Sequence, residues 1–252
     1  MLLAHTLGWT EAQVLSRHDQ TLDGGDRARF DLALSRRLTG EPIAYILGFK
    51  EFYGRQFNVD ARVLIPRPET EHLVEAALEL PLPPSPTVLA LGTGSGCLAC
   101  TIALEQPTSR VVATDISPGA LAVAQGNLVR HQLGDRIQLV GADLARGLTL
   151  ETVDLVLSNP PYIGYDEAPD LSPEILDFEP ELALFAAGSG IAVHRRLLFE
   201  LSALRSGSWL VIEIGAAQEQ RIRNSSLDSP FGLIELRRDY AGLPRVALLQ
   251  RN

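Results

Sequence analysis

The segment around residues 153–162 constrains the fold of this chain more than any other. An apolar run from Val153 to Ser158 stops at Asn159-Pro160-Pro161-Tyr162. Each proline fixes φ and removes a backbone donor, and the residue before a proline is pushed to an extended shape, so the segment cannot continue as strand or begin a helix. We predict a buried strand followed by a stiff loop, at the carboxyl edge where open α/β sheets bind ligands.

This loop exposes an unusual set of polar groups. They are the side-chain amide of Asn159, several unpaired backbone carbonyls and the ring of Tyr162. Together they form an acceptor-rich cradle for a planar NH2 group, closed on one side by an aromatic face. The chemistry that this favours is group transfer to an amide or amino nitrogen.

Charge and composition exclude several classes of protein. The net charge is −9, with 31 acidic against 22 basic residues, which argues against duplex nucleic acid held through many phosphate contacts. No apolar run of about 18 residues predicts a membrane span, and the N-terminus does not resemble a signal peptide. Cys97 and Cys100 lie in one short segment, which is no disulfide framework, so we predict a cytoplasmic location.

The first third of the chain is predicted to be helical and separate from the rest. Thr10 and Gln13 fit a capping box before one helix, and a second helix is expected from about Asp26 to Leu38. Residues 51–59 are typical of an aromatic hairpin, and a third helix follows Pro68. The predicted domains are 1–50, a helical substrate-docking domain; 51–86, a hairpin and helix connector; and 87–252, a cofactor domain.

Residues 80–86 contain four prolines, and after them strands alternate with helices, which predicts a parallel, doubly wound sheet. The expected strands are 87–91, 110–114, 137–140, the strand ending at Asn159, 209–214 and a final pair near 233–236 and 245–249, and the expected helices are 97–105, 118–130 and 191–204.

The first of these strands ends in Gly92-Thr93-Gly94-Ser95-Gly96. Glycines there let the backbone approach a nucleotide-like cofactor and let the next helix pack tightly. About 20 residues past the loop stands Asp115, where a carboxylate can accept from both ribose hydroxyls; the competing interpretation is a helix N-terminal residue beside Ser117. The loop lacks the third glycine at the dinucleotide spacing, so a dinucleotide is disfavoured.

The glycine loop, the ribose acid and the Asn-Pro-Pro-Tyr loop together point to S-adenosylmethionine. With its other motifs, the chain resembles the protein-(glutamine-N5) methyltransferases of the HemK/PrmC type, which modify peptide chain release factors. The resemblance runs nearly end to end. The segments that carry it are 40–48, 51–54, 63–71, 91–97, 113–117, 158–163, 178–180 and 213–215.

The resemblance implies a Rossmann-like class I methyltransferase sheet, preceded by a small helical domain and a β-hairpin. It implies a monomer with release factors as partners, without direct nucleic-acid or membrane contacts and without a metal. The substrate is the glutamine of a Gly-Gly-Gln loop. Asn159 and the Pro160 carbonyl would accept from the substrate NH2 and Tyr162 would pack on the amide, so these three are the expected catalytic residues, and Pro161 joins them in binding substrate. The expected cofactor-binding residues are Gly92, Thr93, Gly94, Ser95, Gly96, Asp115, Asp143, Leu144 and Asn159.

Ala90 departs from the family, whose members have an acidic residue two places before the first loop glycine. That carboxylate ties down the glycine loop, so its loss predicts weaker cofactor binding. Three alternatives stay open: a ribosomal-protein glutamine methyltransferase, a DNA adenine methyltransferase with an Asn-Pro-Pro-Tyr-like loop, and a binding protein with an impaired cofactor site.

The remaining chemistry-bearing residues have mostly structural interpretations. Cys97 and Cys100 are expected to be small core residues, and the five histidines to lie at the surface or on helix faces. Glu213 is expected to cap an interior strand end. For Arg67 and Glu69 two interpretations stand, an ion pair that braces the connector and a place beside the cofactor cleft.

Overall fold

The computed structural model describes residues 1–252, and none of its helices combines the length and apolarity that a membrane crossing needs. The helices are α1 (Leu2–Leu7), α2 (Glu11–Ser16), α3 (Gly24–Leu38), α4 (Ile43–Leu47), α5 (Glu71–Leu78), α6 (Cys97–Glu105), α7 (Pro118–Arg130), α8 (Pro173–Phe178), α9 (Glu181–Leu184), α10 (Ala192–Glu200) and α11 (Glu219–Leu227). The strands are β1 (Phe49–Phe52), β2 (Arg55–Asn58), β3 (Thr87–Leu91), β4 (Arg110–Asp115), β5 (Ile137–Gly141), β6 (Leu155–Ser158), β7 (Trp209–Glu213), β8 (Phe231–Arg238) and β9 (Pro244–Arg251).

Seven strands form one sheet in the order β5-β4-β3-β6-β7-β9-β8. The strands β3 to β7 pair in parallel, whereas β9 runs antiparallel to both β7 and β8. The predicted parallel sheet is thus confirmed for five strands, with an antiparallel pair at one edge. The central strands β3, β6 and β7 are almost wholly buried, because helices cover both faces of the sheet.

Two hydrophobic clusters flank the sheet. One joins β3 and β4 to α5 and α6 and includes Phe52 and Phe57 of the β1–β2 hairpin. The other lies against α10 and α11 and includes Leu197 and Ile222. The hairpin and α5 therefore share their core with the seven-stranded sheet, although the sequence predicted them as a connector.

The N-terminal helices are short and largely exposed. The predicted capping box of α2 is present: Thr10 accepts from the Gln13 backbone at 3.1 Å, and the Gln13 side chain accepts from the Thr10 backbone at 2.8 Å. Asp23 caps α3, which begins two residues before the predicted start. Helices α1 and α4 carry no strong sequence signal and were not predicted.

Candidate active site

Four residues of interest stand in one row along the carboxyl edge of the sheet. Leu91 pairs with both Thr114 and Ser158, and Ser158 pairs with Ile212. The next residue of each strand is therefore aligned with the others. These next residues are Gly92, Asp115, Asn159 and Glu213. Parallel pairing in register is what brings together side chains as far apart in the sequence as Asp115 and Glu213, which are 98 positions apart.

A cavity of about 290 Å³ opens beside Gly92, Asp115 and Asn159 of this row. Its wall includes eight of the nine predicted cofactor residues, namely Gly92, Thr93, Gly94, Ser95, Asp115, Asp143, Leu144 and Asn159. It also includes Pro161 from the predicted substrate loop. Pro160 and Tyr162, the neighbours of Pro161 in this loop, do not line the cavity.

Gly96, the ninth predicted cofactor residue, does not line the cavity. It caps α6 with φ +80°, and a Cβ at this position would stand 3.3 Å from the Ala124 side chain. Gly96 therefore allows the close packing of α6 against α7, and its contact with a cofactor stays a prediction.

The glycine loop leaves open space where a ligand can lie. Gly92 and Gly94 both have positive φ, and a Cβ built on either would meet nothing within 4 Å. Two hydrogen bonds hold the loop: the Thr93 N–H donates to the Thr114 carbonyl at 2.8 Å, and the Gly94 N–H donates to Asp115 Oδ2 at 2.9 Å. The Thr93 hydroxyl is buried without a partner, which favours a polar ligand group beside it.

The far end of the cavity has a polar and an apolar side. Asp143 pairs with Arg196 of α10 at 2.9 Å, and Leu144 adopts φ +54°, a conformation uncommon for a non-glycine residue. The Thr114 hydroxyl donates to the Leu144 carbonyl at 3.0 Å and stabilises this turn. Ile116 lies beside Asp115 with 54% of its surface exposed and lines the same cavity.

A chain of hydrogen bonds supports the Asn159 side chain from behind. Asn159 Nδ2 donates to Thr70 Oγ1 at 3.1 Å, and the Thr70 hydroxyl donates to Glu213 Oε2 at 2.6 Å. The Tyr162 hydroxyl donates to the other carboxylate oxygen, Glu213 Oε1, at 3.0 Å. Glu213 therefore caps its strand end as predicted, and it also contacts Tyr162 directly and Asn159 through Thr70.

Burial and these contacts change the acidity of the groups. Burial raises the pKa of Glu213 to about 6, against the opposing effect of the hydrogen bonds from Thr70 and Tyr162. The pKa of the Tyr162 hydroxyl is raised far above its usual range, mainly by burial and by the adjacent Glu213 carboxylate. Tyr162 is thus a neutral donor at every physiological pH.

The backbone of Tyr162 is fixed from the other side. Gln218 Nε2 donates to the Tyr162 carbonyl at 2.8 Å, and Gln218 Oε1 accepts from the Gly215 N–H at 3.0 Å. Gly190 has φ +81° and lies so close that a Cβ there would stand 1.9 Å from the Tyr162 carbonyl oxygen. The loop is therefore held by contacts to three separate segments.

Arg67 and Glu69 do not pair with each other. Arg67 instead forms an ion pair with Glu179, whose side chain is 1% exposed and also accepts from the Ile65 N–H at 3.1 Å. The interpretation of Arg67 as a brace is supported, with a different partner, and neither Arg67 nor Glu69 lines the cavity. Glu179 thus holds the connector to the segment between α8 and α9.

Among the other residues, Cys97 and Cys100 are buried on α6, and burial raises the pKa values of their thiols to about 11 and about 12. This confirms the core interpretation. His194 lies on a helix face, which agrees with the expectation for the histidines, but that face is buried: its Nε2 lies 2.9 Å from the Glu213 carbonyl, and burial lowers its pKa to about 4. Its position on the inner face of α10 was the available sequence signal.

The sequence missed Thr70 and Arg196 as residues of the site. Thr70 belongs to the Arg-Pro-Glu-Thr-Glu segment, so its motif was visible, but its contact with Asn159 spans 89 positions. Arg196 lies on an amphipathic helix, and nothing in the sequence links it to Asp143.

Two family models match the chain: PrmC N-terminal domain over residues 1–48, and Methyltransferase small domain over residues 70–197. The chain is 40% identical to the release factor glutamine methyltransferase of Koribacter versatilis, across 98% of this chain and 88% of that protein. It is 42% identical to the protein of the same name from Cereibacter sphaeroides, across 98% and 84%.

Among solved structures, a methyltransferase from Pyrococcus furiosus superposes with a TM-score of 0.58 at 17% identity, covering 87% of this chain and 98% of that one. At this identity the likeness establishes the fold, a class I methyltransferase sheet, as the sequence predicted.

Proposed function

The chain belongs to the release factor glutamine methyltransferases, and we propose that it transfers a methyl group from S-adenosylmethionine to the side-chain nitrogen of a glutamine in a peptide chain release factor. The glutamine expected from the motifs is that of the Gly-Gly-Gln loop. A cytoplasmic location and a monomeric state remain predictions from the sequence.

The observation that carries the proposal is the orientation of Asn159. Its Nδ2 donates to Thr70 Oγ1, so its Oδ1 is left to accept from a group in the cavity that both residues line. An acceptor at this place suits the NH2 of a primary amide. The Pro160 carbonyl is the second expected acceptor, since no backbone donor of the protein engages it.

Two fixed acceptors address the main difficulty of the reaction. An amide nitrogen is a poor nucleophile because its lone pair is delocalised into the carbonyl. Holding both N–H bonds turns that lone pair towards the electrophile, and positioning of this kind can lower a barrier by roughly 7–11 kcal/mol in favourable cases. The acceptors also stabilise the positive charge that develops on the nitrogen. No general base is needed before the methyl transfer, and the loop offers none.

The cavity fits the proposed cofactor. The open space beside Gly92 and Gly94 and the orphaned Thr93 hydroxyl suit a polar chain lying on the loop. Asp115 suits a ribose diol, and Ile116 and Leu144 suit the two faces of a purine. When bound, S-adenosylmethionine supplies an electrophilic methyl group on sulfonium.

The direct test is to replace Asn159 by Ala. We expect Asn159→Ala to abolish methylation of a release factor while calorimetry still detects cofactor binding, because the variant removes an acceptor for the substrate and leaves the glycine loop intact. Asn224→Ala is the matched control, since Asn224 is an exposed asparagine on α11. Near-normal turnover in Asn159→Ala would contradict the mechanism.

A further inference from the structure

The side chain of Asn159 could bind in either of two amide orientations, and only one of them serves the proposed reaction. When Oδ1 faces the cavity, the side chain accepts a hydrogen bond from a substrate NH2. When Nδ2 faces the cavity, two NH2 donors face each other and no hydrogen bond forms. The choice depends on what Thr70 offers at the other end of the amide, since Thr70 Oγ1 is its hydrogen-bond partner at 3.1 Å.

The hydroxyl of Thr70 has only one hydrogen to donate. Glu213 takes that hydrogen at 2.6 Å, and an ionised carboxylate can only accept. Thr70 Oγ1 is therefore left with lone pairs towards Asn159, and Asn159 must present its NH2 to them. The carboxylate sets the direction of every hydrogen bond along this chain.

We propose that Glu213 is a positioning residue which, through Thr70, fixes the amide of Asn159 with its oxygen towards the substrate. The proposal rests on the proposed function, because the orientation matters only for a substrate that donates N–H bonds. Glu213 and Thr70 are 1% and 2% exposed, so water does not compete for these hydrogen bonds.

The second oxygen of Glu213 extends this role to the aromatic side of the cradle. Oε1 accepts from the Tyr162 hydroxyl at 3.0 Å. One carboxylate thus holds the acceptor and the ring in a fixed relation, although Thr70 lies on the connector, Tyr162 on the loop after β6 and Glu213 at the end of β7.

The decisive variant is Glu213→Gln, which keeps size and removes the acceptor-only character. A glutamine NH2 can donate to Thr70, which then donates to Asn159 Oδ1 and inverts the amide. We expect kcat to fall about a hundredfold, as when a preorganised hydrogen bond is lost from an active site, with the Kd of S-adenosylmethionine unchanged. The side-chain amide signals of Asn159 in 15N NMR spectra should shift in the free protein.

The pair Thr70→Val and Thr70→Ser tests the same chain without touching the buried charge. Valine keeps the shape and removes the hydroxyl, so kcat should fall as in Glu213→Gln. Serine keeps the hydroxyl and should restore turnover relative to valine. A packing role for Thr70 would give the reverse order, because valine fills the site better than serine.

The pH profile provides a further readout. Other charged or titratable groups that act on Glu213 are Glu69, Arg245, Cys97 and Tyr162. Protonation turns one oxygen of Glu213 into a donor, so kcat should fall as the pH decreases through about 6. In Glu213→Gln this dependence should be absent.

The two proposals fail in different ways. Absence of methylation by the wild-type protein would contradict the proposed function. If Glu213→Gln and Thr70→Val turned over at the wild-type rate, and the Asn159 signals did not shift, the positioning role would be overturned. The proposed function would not be affected by that result.

Discussion

Asn159 shows how a single residue depends on distant ones. Its motif identifies it in the sequence, and its place after a buried strand puts it at the carboxyl edge of the sheet. Its orientation, however, comes from Thr70 and Glu213, which lie 89 positions before it and on another strand. A local motif specifies which groups are present, while the direction in which they point depends on long-range contacts.

Ala90 allows a test of the cofactor loop. It is buried in β3, two residues before Gly92, and it pairs with Ala113 and Leu157. We expect Ala90→Asp to tighten the binding of S-adenosylmethionine, because a charge-assisted hydrogen bond to the loop contributes about 1.5–3 kcal/mol, which is at least tenfold in Kd.

Calorimetric titration of both proteins measures this difference, and a thermal unfolding curve of each checks that the buried carboxylate leaves the fold intact. The loop already has tethers from Asp115 and from Asn127, whose Nδ2 donates to the Ser95 carbonyl at 2.8 Å. Equal affinities would mean that these tethers replace the missing acid.

At the residue scale, nine of the 25 residues of the cavity wall were predicted from the sequence. Glycines at a strand end and an acid one strand later follow from local patterns, and both line the cavity. The helix contact of Gly96 could not be predicted, because the spacing of glycines does not distinguish contact with a ligand from contact with a helix. Here the neighbour is Ala124, which belongs to another helix.

At the scale of elements, the loop after β6 is held in place by contacts with the segment that precedes α10. Ile163 forms an isolated bridge with Phe185, and the Ala186 N–H donates to the Ile163 carbonyl at 2.8 Å. The turn at residues 188–190 then returns against Tyr162. This arrangement makes the turn before α10 part of the substrate cradle.

Replacing Gly190 by Ala tests that arrangement. The added Cβ would stand 1.9 Å from the Tyr162 carbonyl oxygen, so the loop must shift. A displacement of about 1 Å in a positioned group can cost about a hundredfold in rate, and we expect a loss of kcat of that order in steady-state methylation assays, with cofactor affinity retained.

Gly188→Ala is the matched control. Gly188 also has positive φ, at +63°, but the nearest atom to its Cβ would be 3.8 Å away in Ile191. Gly188→Ala places an alanine in the same left-handed backbone region as Gly190→Ala, which costs about 1–2 kcal/mol of stability, but its Cβ does not collide with the loop. If both variants lost turnover equally, backbone strain rather than loop displacement would explain the effect.

The sequence predicted elements with a clear local pattern better than elements without one. The bounds of β3, α6 and α7 agree with the structure, since each has a clear apolar run or cap. Helices α1, α4 and α11 were missed because they are short or polar, and their stability comes from packing rather than from a local pattern.

At the scale of the whole molecule, the connector closes one side of the cavity. Val63, Leu64 and Pro66 line the wall opposite the sheet edge, and the ion pair of Arg67 with Glu179 holds them in place. The connector forms one side of the cavity wall and the sheet edge forms another, so the cavity exists only where the two parts meet. Their shared core could not be predicted, because the proline-rich segment indicated a boundary.

The net charge of −9 also belongs to this scale. It disfavours a nucleic-acid substrate, which needs basic residues for phosphate contacts, and it is compatible with a protein substrate. The choice between a glutamine and an adenine therefore depends on the molecule as a whole, since both present a planar NH2 to the same loop.

The most direct measurement is transfer of radiolabelled methyl from S-adenosylmethionine to four acceptors: a release factor, the same factor with its loop glutamine replaced by Ala, ribosomal protein and DNA. We predict label on the unmodified release factor alone, with the Ala variant as blank. Label on DNA alone, or equal label on both forms of the release factor, would contradict the assignment of a loop glutamine as the methyl acceptor.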